Sequence, residues 1–270
     1  MLTRRDSSAE PRSVADSVIA VTDLAKSYGV VHAVKGISFA VRRGTTTALL
    51  GGNGAGKTTT LAMLLGLLTP SAGRITVLGE EMPAGRKRVL PRMNFTSPYV
   101  DLPKRLTVAQ NLAVFADLYG LRHIHERVAM IAEECDLGEL LHRPYGTLSA
   151  GQRTRVSLAK AVLNEPEVLL LDEPTASLDP DIGDRMRTYL ERYQHRTGCT
   201  MLLASHHMGE VERLCDDVIM LRAGVVVDQG APQELIARYG RATMEEVFLD
   251  VARGRSDERV PGSAAEESTA

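Results

Sequence analysis

The sequence lacks the features that disulfide-rich, zinc-binding and membrane-spanning proteins require. Its three cysteines are odd in number, widely spaced and form no C-x-x-C pair. They therefore predict reduced thiols, and neither a disulfide framework nor a zinc site. No apolar run approaches the roughly 18 residues that cross a bilayer. The N-terminal residues carry charge without an apolar core, so we expect no secretory signal.

The sequence also lacks a large excess of either charge, because 32 basic and 34 acidic residues give a formal net charge of −2. This balance provides no overall positive field to gather nucleic acid or anionic lipid, and we expect no nucleic-acid partner. The seven histidines show no metal-ligand spacing. Hydrophobic residues make up 44% of the chain, which is enough for one sizeable core. The polar ends, 1–16 and 254–270, are expected to be disordered, which leaves 17–253 as the folded domain.

A glycine-rich stretch at 51–58, GGNGAGKT, fits the phosphate-binding pattern G-x-x-x-x-G-K-[ST] at every fixed position. A β-rich run precedes it, and a helix is predicted at 59–68. Glycines let successive N–H groups point at one anion, and the helix adds its positive end. Lys57 can then reach phosphate oxygens, and the Thr58 hydroxyl can ligate Mg²⁺. The residues predicted to contact nucleotide here are Gly51, Asn53, Gly54, Ala55, Gly56, Lys57, Thr58 and Thr59.

Two carboxylates follow a second apolar run. The sequence VLLL at 168–171 shows no alternation, which is typical of a strand buried on both faces. Asp172 and Glu173 stand at its carboxyl end, where open α/β sheets bind ligands. Asp172 suits Mg²⁺, directly or through water, and Glu173 suits orienting or deprotonating an attacking water. Acids that merely cap the following turn are the alternative.

A third stretch, LSAGQ at 148–152, predicts a helix N-terminus. Ser149 and Gln152 have capping-box spacing, and an apolar helical period follows until Pro166. Such an N-terminus, with the bare Gly151, is a competent anion site. Taken alone, the stretch is better explained by an ordinary helix cap.

Two further residues could have either a functional or a structural role, and their positions in the sequence do not decide between the two. His206 follows an apolar run at 200–204, where it could donate a hydrogen bond to a phosphate or serve a structural role. Tyr28 stands at a predicted turn, where its ring could stack on a nucleobase or pack on the sheet.

The rest of the pattern indicates an α/β chain with an antiparallel part and a helical insertion. Glycines separate short β-like runs at 18–21, 30–34 and 37–41, which predict an antiparallel meander.

Helices are expected after the phosphate-binding stretch and a charged loop at 80–92. One begins at a capping box formed by Thr107 and Gln110, and another is predicted at 126–135. Together they form a helical subdomain at about 93–165.

The order of these motifs resembles the ATP-binding cassette of ABC transporters. The phrases GGNGAGKTT, LSAGQ, VLLLDEP, SLD and SHH occur between residues 51 and 206, and the resemblance covers roughly 18–250. It implies a P-loop NTPase ABC cassette of α/β class. Such a cassette has a mixed central sheet, an antiparallel β subdomain and an inserted helical subdomain.

The resemblance also implies partners and roles. ATP and Mg²⁺ would lie between two cassettes, most simply a homodimer, that serve a separate integral-membrane permease on the inner face of the cell membrane. Signature residues of one chain would close over the γ-phosphate held by the other, and an aspartate would link the two sites. The implied catalytic residues are Glu173, His206 and Lys57, the implied metal ligands are Thr58 and Asp172, and the other implied nucleotide contacts are Tyr28, Ser149, Gly151, Gln152 and Asp179.

Two positions depart from the family pattern. Such cassettes usually carry glutamine near the junction into the helical subdomain, where Ser97 and Pro98 stand here, and we infer that Ser97 replaces it. Ala150 replaces a more usual glycine. The C-terminal phrase MEEVFL at 244–249 resembles the ending of ABC-2-type exporter cassettes, which favours export over import.

Two other classes of ATPase compete with a transporter subunit. A cassette ATPase that serves assembly of another complex, such as an iron–sulfur scaffold, carries the same motifs. A DNA-repair or chromosome-structure ATPase needs a long coiled coil between the phosphate loop and the signature. The sequence has no sustained heptads there, which argues against it.

Overall fold

A computed structural model describes residues 16–97 and 101–254 of the chain. The two predicted disordered tails lie outside the described residues, apart from Asp16 and Gly254. Pro98 also lies outside them. The architecture is two sheets and a set of helices packed in layers.

The larger sheet has six strands in the order β10-β9-β3-β8-β7-β6. All neighbouring pairs are parallel except β10 and β9, which pair antiparallel, so the sheet is mixed as expected. Its strands are β3 (Thr46–Gly51), β6 (Met93–Thr96), β7 (Val168–Asp172), β8 (Thr200–Ala204), β9 (Asp217–Arg222) and β10 (Val225–Gly230).

The smaller sheet is antiparallel, with strand order β2-β1-β4-β5. The expected meander of three runs is wrong in one respect, because the second and third runs form one long strand. Gly36, at φ 75°, is an extra residue between the pairs Ala25–Lys35 and Leu24–Ile37. It makes a bulge that bends the strand without ending it. The strands are β1 (Ser17–Tyr28), β2 (Val31–Arg42), β4 (Ala72–Val77) and β5 (Glu80–Met82).

Nine α-helices lie in the described ranges, with several short 3₁₀ turns between them. Residues 80–92, expected as loop, contain β5 and a four-residue helix. The first helix ends four residues earlier than predicted, because Gly66 (φ 67°) turns the chain away. The helices are α1 (Lys57–Leu64), α2 (Arg86–Val89), α3 (Val108–Leu118), α4 (Ile124–Glu134), α5 (Ala150–Val162), α6 (Pro180–Thr197), α7 (Met208–Leu214), α8 (Pro232–Tyr239) and α9 (Met244–Arg253).

The six-stranded sheet separates two hydrophobic cores. Alternate side chains of each central strand enter opposite cores, since successive residues of a strand point to opposite faces. Leu170 packs with the antiparallel sheet and α1, whereas Leu169 and Leu171 pack with helices of the other layer. Burial on both faces explains why this strand is an unbroken aliphatic run.

The helical segment joins the sheet at β6 and returns along α5. Met93–Thr96, at the start of the predicted 93–165 segment, pairs with β7. Both predicted capping boxes are confirmed, at Thr107 for α3 and at Ser149 for α5. The helix α3 packs against α4 and α5, and it holds the segment together through buried residues such as Leu112 and Ile131.

Candidate functional site

Chemistry-bearing residues collect at the carboxyl edge of three parallel strands. The glycine-rich loop follows β3, Asp172 and Glu173 end β7, and His206 follows β8. Because β3, β8 and β7 are neighbours and run parallel, their carboxyl ends meet at one edge. In open α/β sheets this edge is where ligands bind.

The loop at 51–58 needs its glycines for two physical reasons. Gly54 and Gly56 have φ values of 76° and 104°, which residues with a Cβ rarely adopt. A Cβ on Gly56 would also lie 2.8 Å from the carbonyl oxygen of Ala33 on β2. The antiparallel sheet therefore supports the loop from behind at backbone distance. Gly56 precedes α1 directly, so the loop ends at a helix N-terminus suited to phosphate.

Lys57 is half-buried within this loop. Its Nζ donates to the carbonyl oxygens of Gly51 (2.5 Å) and Gly52 (3.3 Å). Burial lowers the pKa of Lys57, and the nearby charges of Glu173 and Asp172 oppose that shift. The lysine therefore lies in the electrostatic field of the two carboxylates that follow β7, although the chain separates them widely.

Asp172 is buried at the end of β7 and contacts Ser97. The Ser97 hydroxyl donates to Asp172 Oδ2 at 3.2 Å. Burial raises the pKa of Asp172, and so does the neighbouring Glu173, while the Ser97 hydrogen bond and Lys57 lower it. The expected replacement for the family glutamine thus touches the carboxylate predicted to serve the metal.

A Mg²⁺ ion fits the kind of donors that this edge offers. Mg²⁺ is usually held by one or two protein oxygens together with substrate phosphates and water. Asp172 supplies a buried carboxylate and Thr58 an exposed hydroxyl on the loop. Among residues 16–97 and 101–254, no group of three or more His, Cys, Asp or Glu side chains could enclose a metal. The donor chemistry therefore suits a metal shared with a nucleotide.

Glu173 and His206 meet at the same edge. Glu173 Oε1 lies 2.6 Å from His206 Nδ1, with the glutamate side chain 19% exposed and the histidine 67%. Glu173 has φ 52°, an unusual value for a residue other than glycine. Its N–H donates to the Ala204 carbonyl on β8 at 2.8 Å. Strained backbone of this kind is concentrated at functional sites.

The signature stretch forms the exposed N-terminus of α5. Ser149 Oγ accepts from the Gln152 N–H, and the Gln152 side chain accepts from the Ser149 N–H. A Cβ on Gly151 would lie 3.0 Å from the Ser177 carbonyl oxygen, and its nearest neighbours belong to Ser177 and Leu178. The structure thus places this tip beside the loop after Glu173, whereas the glycine-rich loop at 51–58 lies at the end of another strand.

Two predicted residues are exposed at element ends. Tyr28 ends β1 with 51% exposure, and its ring lies 5.4 Å from Lys26 Nζ. Asp179 is exposed at the N-terminus of α6, and its side chain makes no cap hydrogen bond there. Both side chains are accessible to a ligand or a second chain.

A cavity of about 250 Å³ separates α5 from the carboxylates. Its walls include residues that the sequence analysis did not single out, such as Asp101, Tyr145 and Arg153. Arg153 follows the capping box by one residue, which is the signal that could have drawn attention to it. Ser97, Asp172 and Glu173 line the same cavity.

The family model described as ABC transporter matches residues 34–176, more than half of the chain. The chain belongs to the ABC transporter family. It is an ATP-binding cassette that hydrolyses ATP to energise transport.

Relatives and solved structures resemble this cassette over most of its length. The Nod factor export ATP-binding protein I of Ralstonia nicotianae is 39% identical over 86% of this chain and 73% of its own. The protein of the same name from Paraburkholderia xenovorans is 37% identical over 91% and 81%.

Among solved structures, an ATP-binding subunit of an ABC transporter is 27% identical with a TM-score of 0.80, covering 87% of this cassette and 99% of that chain. The protein cbiO1 of Clostridium perfringens, part of the ABC transporter complex cbiONQ, is 32% identical with a TM-score of 0.74, covering 89% and 97%. In the described part of this cassette, no helix has the length and apolarity to cross a membrane.

Proposed function

We propose that this cassette uses Mg²⁺-dependent ATP hydrolysis to drive export through a separate integral-membrane permease, as a homodimer on the cytoplasmic face of the cell membrane. The observation that carries the proposal is the 2.6 Å contact between Glu173 and His206 at the sheet edge that also holds the phosphate loop. A carboxylate and a histidine there are suited to general acid–base chemistry on water and phosphate.

The phosphate loop binds and orients the triphosphate. Backbone N–H groups of residues 51–58 and the N-terminus of α1 point positive charge at it. Lys57 exchanges its two carbonyl partners for phosphate oxygens. The exposed ring of Tyr28 offers a stacking face for adenine. The remaining phosphate contacts in this assignment are Gly51, Asn53, Gly54, Ala55, Gly56, Thr58 and Thr59.

Chemistry is assigned to the residues that follow β7 and β8. Glu173 orients the attacking water and accepts its proton, while the imidazolium form of His206 donates through Nδ1 to Glu173 and through Nε2 toward the γ-phosphate. Thr58 and Asp172 hold Mg²⁺, which when bound supplies positive charge that stabilises the developing negative charge on phosphate oxygens. The buried position of Asp172 keeps its carboxylate oriented toward this edge.

A second copy completes the site in this proposal. Ser149, Gly151 and Gln152 lie at an exposed helix N-terminus that favours an anion. Within one chain this tip lies beside Ser177 and Leu178. The γ-phosphate of a partner cassette satisfies it, and the exposed Asp179 lies on the same side, where it links the two sites.

Export, rather than import, is supported by two observations. The C-terminal helix α9 carries the phrase that resembles ABC-2-type exporter cassettes. The curated relatives are named export ATP-binding proteins. In this assignment residues 17–253 form the ATP-binding domain, and about 93–165 form its helical subdomain.

The substitution Glu173→Gln tests the proposal. It should keep ATP affinity within about twofold and lower turnover by about 10²–10⁴, the usual worth of acid–base assistance. With Mg²⁺ and ATP, the variant should accumulate as a dimer in size-exclusion chromatography with light scattering. Glu167→Gln is the control, since this exposed glutamate pairs with Arg92 and the same chemical change there should leave turnover intact. Undiminished turnover in Glu173→Gln would remove Glu173 from the mechanism, and a variant that stays monomeric would contradict the dimer.

A further inference from the structure

A buried carboxylate near the site has no role in the function assigned above. Glu210, in the first turn of α7, is 1% exposed. A buried charge is costly unless hydrogen bonds satisfy it. Here two hydroxyls do so: Thr175 Oγ1 donates to Oε1 at 2.9 Å, and Ser205 Oγ donates to Oε2 at 2.7 Å.

The two hydroxyls belong to the two loops that carry the catalytic pair. Thr175 lies two residues after Glu173, and Ser205 directly precedes His206. Both are buried. Glu210 therefore joins the loop after β7 to the loop after β8 in the protein interior. The Glu173–His206 contact joins the same two loops nearer the surface.

An ordinary helix cap does not explain this arrangement. A glutamate at the third position of a helix commonly turns back to bond the N-cap N–H. In α7 the N-cap residue is His207, and its N–H donates to Ser205 Oγ at 3.1 Å. The carboxylate is thereby directed to the hydroxyls of two separate loops.

The backbone of Glu173 adds an independent reason for such a link. A left-handed conformation at a residue with a long side chain persists where the surrounding structure over-determines it. On one side, the Glu173 N–H is fixed by the Ala204 carbonyl. On the other, the chain is fixed at Thr175, whose hydroxyl is bound by Glu210.

We infer that Glu210 is a positioning residue that holds Glu173 and His206 in register for ATP hydrolysis. The inference rests on the roles proposed above for that pair. Glu210 acts through the two hydroxyls, because burial keeps its own carboxylate away from the surface where nucleotide would bind. Its removal leaves the phosphate loop intact, so the expected defect is in turnover and not in ATP binding.

The test compares Thr175→Val, Glu210→Gln and the conservative Thr175→Ser in the full chain. Thr175→Val is nearly isosteric and removes one donor to the carboxylate. We expect kcat to fall about 10- to 100-fold with KM for ATP within twofold, because displacement of a reacting group by about 1 Å costs up to about 10² in rate. Glu210→Gln should likewise lower kcat while leaving KM for ATP within twofold. Thr175→Ser should recover most of kcat, because it restores the hydroxyl.

Two controls separate positioning from general loss of stability. Asp250→Asn alters another buried carboxylate, that of Asp250 on α9, which accepts a hydrogen bond from Arg241. This variant should have a lower melting temperature but an unchanged kcat at temperatures below it. In the Glu173→Gln background, Thr175→Val should have little further effect on kcat, since residues that act as a unit are not additive.

The outcomes distinguish this inference from the proposed function. If Glu173→Gln leaves turnover unchanged, the proposed function fails whatever Glu210 does. If Glu173→Gln lowers turnover but Thr175→Val and Glu210→Gln keep kcat within twofold, Glu210 is structural and the inference is wrong. Parallel losses of kcat and ATP affinity, or no recovery in Thr175→Ser, would also overturn it.

Discussion

His206 Nδ1 lies 2.6 Å from Glu173 Oε1, although the two residues are 33 positions apart in the chain. Sheet register produces this contact. The strands β7 and β8 run parallel, with Asp172 opposite Ala204, so the residues that follow them emerge side by side. The distance requires that one of the two atoms carries a proton, and it fixes the orientation of the imidazole relative to the carboxylate.

The first prediction concerns this contact. His206→Ala removes the hydrogen bond to Glu173 and the proposed donor to the γ-phosphate, so turnover should fall about 10²-fold or more. ATP affinity should change little, because the phosphate loop is untouched. Steady-state ATPase assays and equilibrium ATP titration measure the two quantities. His195→Ala, at an exposed histidine of α6, is the matched control. A loss of affinity as large as the loss of turnover would mean that His206 binds ATP instead of assisting hydrolysis.

Local patterns in the sequence were sufficient to predict much of this edge. Ser149 and Gln152 form the predicted capping box because the motif needs contacts within four residues only. The aliphatic run of β7 predicted burial on both faces, and Leu169 and Leu170 do enter opposite cores.

Other features depend on contacts that no local pattern records. Gly36 looked like a strand end, but pairing with β1 turns it into a bulge within β2. No local pattern singles out Glu210, because its partners Thr175 and Ser205 lie on separate loops. The many charges at 80–92 predict a loop, but residues Glu80–Met82 form the short strand β5. Pairing with β4, which the local pattern does not record, stabilises this strand.

The second prediction concerns Ser97. Its hydroxyl donates to Asp172 Oδ2 at 3.2 Å and lowers the pKa of that carboxyl, against the upward shift that burial causes. Ser97→Ala should therefore raise the pKa of Asp172 further. Because a metal binds the ionised carboxylate, the Mg²⁺ concentration for half-maximal ATPase should rise several-fold, and more at pH 6 than at pH 8.

The matched control for Ser97 is an exposed serine–aspartate pair in the antiparallel sheet. Ser38 Oγ donates to Asp23 Oδ1 at 3.3 Å, so Ser38→Ala removes a similar bond far from the carboxyl edge. It should leave the Mg²⁺ dependence unchanged at both pH values. An equal shift in both variants, or a shift in Ser97→Ala that grows toward alkaline pH, would contradict the assignment of Asp172.

The third prediction concerns Lys160, a buried lysine that links α5 to β6. Its Nζ donates to the Phe95 carbonyl (2.9 Å) and to Asn94 Oδ1 (3.2 Å), and it lies 5.6 Å from the Phe115 ring centroid. Burial lowers the pKa of Lys160 from 10.5 to about 8. The folded protein therefore releases this proton at a lower pH than the unfolded chain does.

The sign of the resulting pH dependence follows from proton counting. Between about pH 8 and 10.5 the unfolded chain binds more protons at this lysine, so the group makes the free energy of unfolding rise with pH. The difference between the pKa values of the unfolded and folded states corresponds to a rise of about 3 kcal/mol in the free energy of unfolding between these two pH values. Lys160→Met has no such group, while other titrations occur in both proteins. Denaturant unfolding at several pH values should show that the free energy of unfolding of the wild type increases relative to that of the variant as pH rises. A difference that stays flat, or that shrinks, would show that the ammonium is solvated in the folded protein.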